Sequence, residues 1–213
     1  MRKQRKALRF LYGLLPILAI GVAEAQQNPR QSNRSDGPDL TALDHALEAY
    51  ISDDALQAQY IRVMDFGRVG NSLDVRGGFF YNEDGDLIIN GDILAPLGNP
   101  TTRRQLEVRV GARAYGAFIA IENQDVFGLG LGGEVEYYFG RDRRTSAKLS
   151  FYYAPDIMTF GQSDDINDIT LRLQTRIREG TDVFVGFRVF EIDLDVGDRE
   201  VDDNMHVGFR RSF

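Results

Sequence analysis

The sequence predicts an all-β fold, an antiparallel up-and-down transmembrane β-barrel of about ten strands. Three observations predict it. Beyond residue 50 the chain is a train of segments in which apolar and polar side chains alternate with a period of two. The segments run about ten residues with aromatic residues near their ends (Phe80, Tyr81, Tyr115, Tyr137, Tyr138, Phe139, Phe151, Tyr152, Tyr153), matching the length and interfacial girdle of a spanning strand. The chain stops on "NMHVGFRRSF", with Met205, Val207, Phe209 and Phe213 apolar to the last residue, where a soluble domain usually frays into polar residues.

The N-terminus differs in kind. Five basic residues (Arg2, Lys3, Arg5, Lys6, Arg9) precede an apolar run from Phe10 to Ala23, and Ala23 and Ala25 are small residues at the two positions a signal peptidase reads. Residues 1–25 are therefore expected to be a cleaved signal peptide. A spanning helix would need about 20 apolar residues, and this run is shorter and interrupted by Pro16. Residues 26–44 begin "QQNPRQSNRSDGPD" and read as a disordered periplasmic linker, leaving 45–213 for the barrel. Of the chain's 25 basic and 32 acidic residues the signal holds five and one, so the mature chain is net −11. That balance argues against nucleic acid as a partner. No cysteine is present, which removes disulfides, thiolate metal sites and thiol nucleophiles. No cofactor is implied.

The first barrel segment is ambiguous. "DLTALDHALEAYI" places Leu40, Leu43, Leu47 and Tyr50 at helical spacing in a context of helix formers. The even strand number of bacterial outer-membrane barrels instead asks for a strand near 45–52. After a strand near 55–65, "SLDVRGGFFY" (72–81) sets Leu73, Val75, Gly77, Phe79 and Tyr81 opposite Asp74 and Arg76. "DLIINGDILA" (86–95) sets Leu87, Ile89 and Ile93 opposite Asn90 and Asp92, and 104–119 sets Leu106, Val108 and Val110 opposite Glu107, Arg109 and Arg113. Strand 126–139 places Phe127, Leu129, Leu131, Val135, Tyr137 and Phe139 opposite three glycines, Glu134 and Glu136. Strands 145–154 and 166–178 follow, the second with Arg172 and Arg176 on its polar face. In 182–194, Val183, Val185, Phe187 and Val189 share a face with Arg188 opposite, but Ile192 and Leu194 fall on the other parity. A bulge near Phe190–Glu191 is expected to restore register. The last strand, 204–213, carries Arg210 on its polar face.

Alternation alone does not separate a membrane barrel from a soluble barrel or sandwich, whose polar face would be a solvated surface. The polar positions here are rich in both signs of charge, and a barrel with apolar residues facing lipid would turn them into a luminal network. Loop asymmetry agrees. With the C-terminus in the periplasm the external loops become "SDD", "NEDGD", "ENQD", "PDIMTFGQSDD" and "VGDREVDD", all acidic. The inward turns "GRVGN", "LGNPTTRR", "GRDRR" and "REGT" are mostly basic or neutral. This places both termini in the periplasm.

The ending "HVGFRRSF" resembles the C-terminal signature of outer-membrane β-barrel proteins, which implies the barrel assembly machinery as a partner. Arg211 departs from the pattern. Arginine near an interface costs about 0–1 kcal/mol, against ~2–4 at the midplane. "GLGLGGEVEYYF", "SFYYAPDIMTFGQSDD" and "FVGFRVFEIDLDVGDREVDDNMHVGFRRSF" look like the YfaZ family of Gram-negative outer-membrane proteins. The resemblance covers most of 45–213 and implies an outer-membrane, porin-like barrel in a Gram-negative bacterium. It supplies no substrate and no catalytic residues.

Other patterns carry less. "GLGLGG" fits G-x-G-x-x-G, but it lies inside a strand, where Gly128, Gly130 and Gly132 would make room for large side chains or let the strand bend. His206 faces inward without an evident serine constellation, so a hydrogen-bonded luminal histidine is expected rather than a catalytic one. Asp195, Asp198, Asp202 and Asp203 are weak metal candidates without EF-hand spacing, and a solvated acidic loop is expected. Four functions follow: a small solute pore; a closed barrel contacting lipopolysaccharide or a partner through acidic loops; an outer-membrane lipid-modifying enzyme; and a soluble binder. A barrel of about ten strands lies near the limit at which side chains fill the lumen.

Overall fold

The computed structural model describes residues 45–65, 72–98, 105–120, 124–161, 163–194 and 197–213. The signal cleavage residues Ala23 and Ala25, the linker, and Asp195 lie outside the described residues. The strands are β1 His45–Ile51, β2 Ala55–Asp65, β3 Ser72–Asn82, β4 Leu87–Pro96, β5 Leu106–Ile119, β6 Gln124–Phe139, β7 Thr145–Ala154, a short β8 Thr159–Gly161, β9 Ser163–Arg178, β10 Thr181–Leu194 and β11 Gly197–Ser212. Ten of them pair antiparallel with their neighbours in chain order, β7 pairs with β9, and β1 pairs with β11. The ring closes, so every strand in it is bonded on both sides, as a barrel in a bilayer requires. The remaining strand, β8, adds a rung to β6 beyond the end of β7.

The ambiguous first segment is a strand. Residues His45–Ile51 pair with both β2 and β11, and the helical spacing of Leu47 and Tyr50 gives way to that two-sided ladder. Leu47 points outward and Tyr50 inward, as alternation demands. The C-terminus completes the seam. The Phe213 N–H donates to His45 O at 2.9 Å, and the His45 N–H donates to Phe213 O at 3.3 Å. The rings of Tyr60, His45 and Phe213 stack in a row on the outside of this seam.

The barrel is inside out relative to a soluble one. Its outer face carries Ile51, Phe79, Ile89, Leu131, Leu171 and Val207, each 40–60% exposed, while its inner face carries buried Arg76, Asp92, Arg113, Glu134, Asp168 and Arg188. Met205, Val207, Phe209 and Phe213 are all on this outer apolar surface and more than half exposed. Arg211 lies outward beside the β9–β10 turn, where it donates to Thr181 Oγ1 at 2.5 Å and to Glu179 O at 3.3 Å.

Two sequence expectations need correction. The register shift does fall at Phe190/Glu191, but β10 keeps its parity and the extra residue, Val201, sits on β11. Val201 and Asp202 therefore both point inward. Ile192 and Leu194 do not return to the outer face; they are buried inside the barrel. The second correction concerns "VGDREVDD": β11 begins at Gly197, so most of this expected loop is strand.

Candidate functional site: the lumen

The lumen has three layers. At the end away from the termini, Phe80, Ile88, Ile119, Val126, Ile166 and Ile192 form an apolar plug, none more than 2% exposed. Gly128 and Gly130 make room for it: a Cβ at Gly128 would stand 2.6 Å from Ile166 Cδ1, and one at Gly130 3.2 Å from Tyr115 Cε2. The expectation for these glycines holds, although the side chains they admit come from neighbouring positions. Above the plug, the β3–β4 turn is pinned rather than free. Asp86 accepts from Arg199 at 3.0 Å and from the Ala120 N–H at 3.0 Å, and Asp84 accepts from Arg199 at 2.7 Å.

Below the plug lies a ladder of ion pairs, some between neighbouring strands and two, Arg113–Asp168 and Arg76–Glu134, between strands that are not neighbours. Arg188 on β10 donates through Nη1 to Tyr50 Oη at 3.1 Å and Gln57 Oε1 at 3.0 Å, and through Nε and Nη2 to both oxygens of Asp168, each at 3.0 Å. Asp168 on β9 also accepts from Arg113 on β5 at 2.8 Å. Arg113 donates to Asp92 on β4 at 2.5 and 2.9 Å. The Asp92 carboxylate lies 3.7 Å from Arg76 Nε, and Arg76 grips Glu134 on β6 with two bonds of 2.5 and 2.8 Å. The run from Gln57 to Glu134 crosses the lumen through hydrogen bonds at every step but one, the 3.7 Å ion contact between Asp92 and Arg76. Aromatic faces cover the guanidiniums, with Arg113 3.9 Å from the Tyr152 ring centroid and Arg188 4.6 Å from that of Phe190. Removing such charges from water is costly unless each is paired and hydrogen-bonded. Every charged side chain of the ladder has an opposite partner and at least one hydrogen bond, with Arg76 Nε and Asp92 Oδ1 left as the buried atoms without one. A cavity of about 30 Å³ remains beside the ladder, room for a water or two.

The third layer is a vestibule of about 330 Å³ at the terminus end. Arg109 stands in it, 3.0 Å from Glu107, 3.5 Å from Asp74 and 3.5 Å from Glu136. Glu107 also accepts from Arg143, which lies on the Tyr138 ring. Arg76 lines both the vestibule and the smaller cavity, and Glu134 lines the smaller one.

Of the charged residues expected in the lumen, Asp74, Arg76, Asp92, Glu107, Arg109, Arg113, Glu134, Glu136 and Arg188 come together in these pairs. Arg172 pairs with Glu48 across the barrel. Arg176 lies at the rim, 3.3 Å from Asp182, and Arg210 faces inward without an ion pair among the described residues. Sequence reasoning passed over Asp168, Glu48 and Lys148 as network members. Asp168 precedes the apolar run that marks its strand, and Glu48 sits in the ambiguous first segment. The signal for Asp168 and Lys148 was parity: they continue the inward positions of Thr170 and Ser150. His206 is luminal and 1% exposed, but its ring stacks on Tyr50 at 4.2 Å and neither nitrogen has a hydrogen-bond partner among the described residues. The expected hydrogen bond is replaced by packing. Asp202 is buried and Asp203 exposed, so the two diverge, and no cluster of three metal-ligating side chains occurs among the described residues.

No family model matches the chain. No curated protein matches it. Solved structures with a similar fold include the outer membrane channel DcaP of Acinetobacter baumannii, 10% identical, covering 78% of this chain and 54% of that one, with a TM-score of 0.40. A bacterial polysaccharide outer membrane secretin is 10% identical over 79% of this chain and 68% of that one, with a TM-score of 0.46. The KdgM porin is 10% identical over 79% of this chain and 98% of that one, with a TM-score of 0.42. The chain spans about half the length of the DcaP channel it matches. Likeness at this level concerns the fold alone.

Proposed function

We propose that this protein is a porin-like β-barrel of the Gram-negative outer membrane, related to the YfaZ family, with its termini in the periplasm and its lumen shut at rest. One observation carries the shut reading: the ion-pair ladder from Gln57 to Glu134 crosses the lumen directly beneath the apolar plug. The inside-out surface supports the membrane, because the apolar belt would be an aggregation surface in water. Its acidic far-end turns are the surface through which lipopolysaccharide or a partner would be met, and the apolar face of β11 ending at Phe213 is the assembly signal. No catalytic role is assigned; His206 lacks the partners that an acid–base role requires.

A narrow charged channel for small solutes is the second reading. The vestibule favours it, since Arg76 borders both that space and the inner cavity. Planar-bilayer recording of the purified barrel decides between them. The shut reading expects silence from protein whose insertion is verified independently. Steady, reproducible steps at low voltage would replace it with the channel.

A further inference from the structure

We infer that the vestibule is a binding site for a small multivalent oxyanion, held on the wall formed by β9, β10, β11 and the β6–β7 turn. The inference does not depend on whether the lumen conducts. The vestibule's carboxylates are already engaged. Asp74 and Glu107 face Arg109, with Arg76 also at Asp74 and Arg143 also at Glu107, while Glu136 accepts from Ser146 at 2.7 Å and from Gln174 at 2.6 Å.

The opposite wall holds guanidiniums with donors to spare. Arg176 and Arg210 flank Asp182 in register on the neighbouring strands, all on the inner face. Asp182 accepts one bond, from Arg176 Nε at 3.3 Å, and that leaves the terminal nitrogens of Arg176 unassigned. Arg210 has no carboxylate within 4.0 Å among the described residues, and its Nε is buried without a hydrogen-bond partner. Arg144 joins them: its carbonyl oxygen accepts the Arg176 N–H at 2.8 Å, and its guanidinium has only a 3.7 Å contact with Asp142. Three guanidiniums thus line a cavity large enough for a small solute, with Asp182, bonded to Arg176, the inward carboxylate on their wall. Guanidinium groups present paired N–H donors that fit the oxygens of phosphate and carboxylate, and a partly desolvated one binds them better than bulk cations do. A buried, unpaired donor such as Arg210 Nε gains most from such a partner.

The test is calorimetric titration of the detergent-purified full barrel with inorganic phosphate and with citrate, against chloride at matched ionic strength. Saturable binding of a multivalent anion is expected, weakened by about tenfold or more in Arg210→Gln, as loss of a charged hydrogen bond implies. Arg176→Gln is the second variant, should the first not fold, with the same expectation. Phosphate binding stronger than citrate would identify a phosphoryl ligand, and the reverse a carboxylate one. Equal heats for wild type and both folded variants, or chloride competing at equal concentration, would overturn the site.

Discussion

Asp168 is 1% exposed and accepts bonds from two arginines and the Tyr115 hydroxyl. Replacing it with alanine would leave Arg113 and Arg188 with an uncompensated positive charge in the ladder. Removing one partner of a buried pair typically costs about 3–5 kcal/mol. Asp168→Ala is therefore expected to lower the unfolding free energy by that amount, read as a lower urea midpoint at an unchanged slope. A loss below about 1 kcal/mol would mean that water reaches the ladder and that the interior is wetter than its burial indicates. Most other members of the ladder can be read from the sequence, because alternation assigns a side to each residue once a strand is anchored by its apolar run. Asp168 lies inside the strand expected over 166–178 but one residue before its apolar run, so parity puts it on the inner face and only the partners across the lumen show that it joins the ladder. Glu48 was hidden for a different reason. Its segment has helical propensity, and the decision in favour of a strand is made by residues more than 100 positions away in β11.

At the scale of an element, β6 and β11 are the informative strands. β6 passes close to both neighbours at its glycines. A Cβ on Gly132 would overlap the Phe151 carbonyl oxygen, and one on Gly133 would overlap that of Arg109. The dinucleotide-like run is thus a steric requirement of tight strand approach. Gly132→Ala is expected to destabilise the barrel by about 1–3 kcal/mol or to prevent its closure, read by urea unfolding and by protease resistance; wild-type stability would refute the tight approach. β11 shows what the sequence could not supply. The bulge sits on β11 and β10 keeps its parity; the inward positions of β10 change from Arg188 to Phe190, Ile192 and Leu194 because the lumen is apolar there, so a reading that expects polar residues inside puts Ile192 and Leu194 on the wrong face. The apolar ending has two separable roles. The backbone of Phe213 bonds to His45, while its side chain stacks outside on the His45 ring. Phe213→Ala keeps the backbone pairs, so refolding into detergent is expected to stay near normal while insertion in cells slows. Equal insertion rates for the variant and the wild type in pulse-labelled cells would remove the assembly role.

For the whole molecule, the question is how two barriers in series govern one lumen. The plug and the ladder differ in chemistry. The plug excludes water because its side chains are apolar and close-packed; the ladder fills its cross-section with paired charge. An ion entering from the vestibule meets the ladder first and the plug second, and either alone stops it. The effects of opening them should therefore be non-additive. Asp168→Ala leaves the plug intact and is expected to remain silent in a bilayer. Shortening the plug with Phe80→Ala and Ile166→Ala keeps every ion pair of the ladder, losing only the Phe80 ring 5.2 Å from the Arg188 guanidinium, and should also be silent. The triple variant is expected to conduct, since the enlarged apolar layer can then wet from a vestibule that is already open. Conductance in the plug variant alone would show that the ladder passes ions and that the plug is the only gate. Silence in the triple variant, with insertion verified, would mean that the remaining pairs, Arg76–Glu134 foremost, suffice to close a barrel of this width.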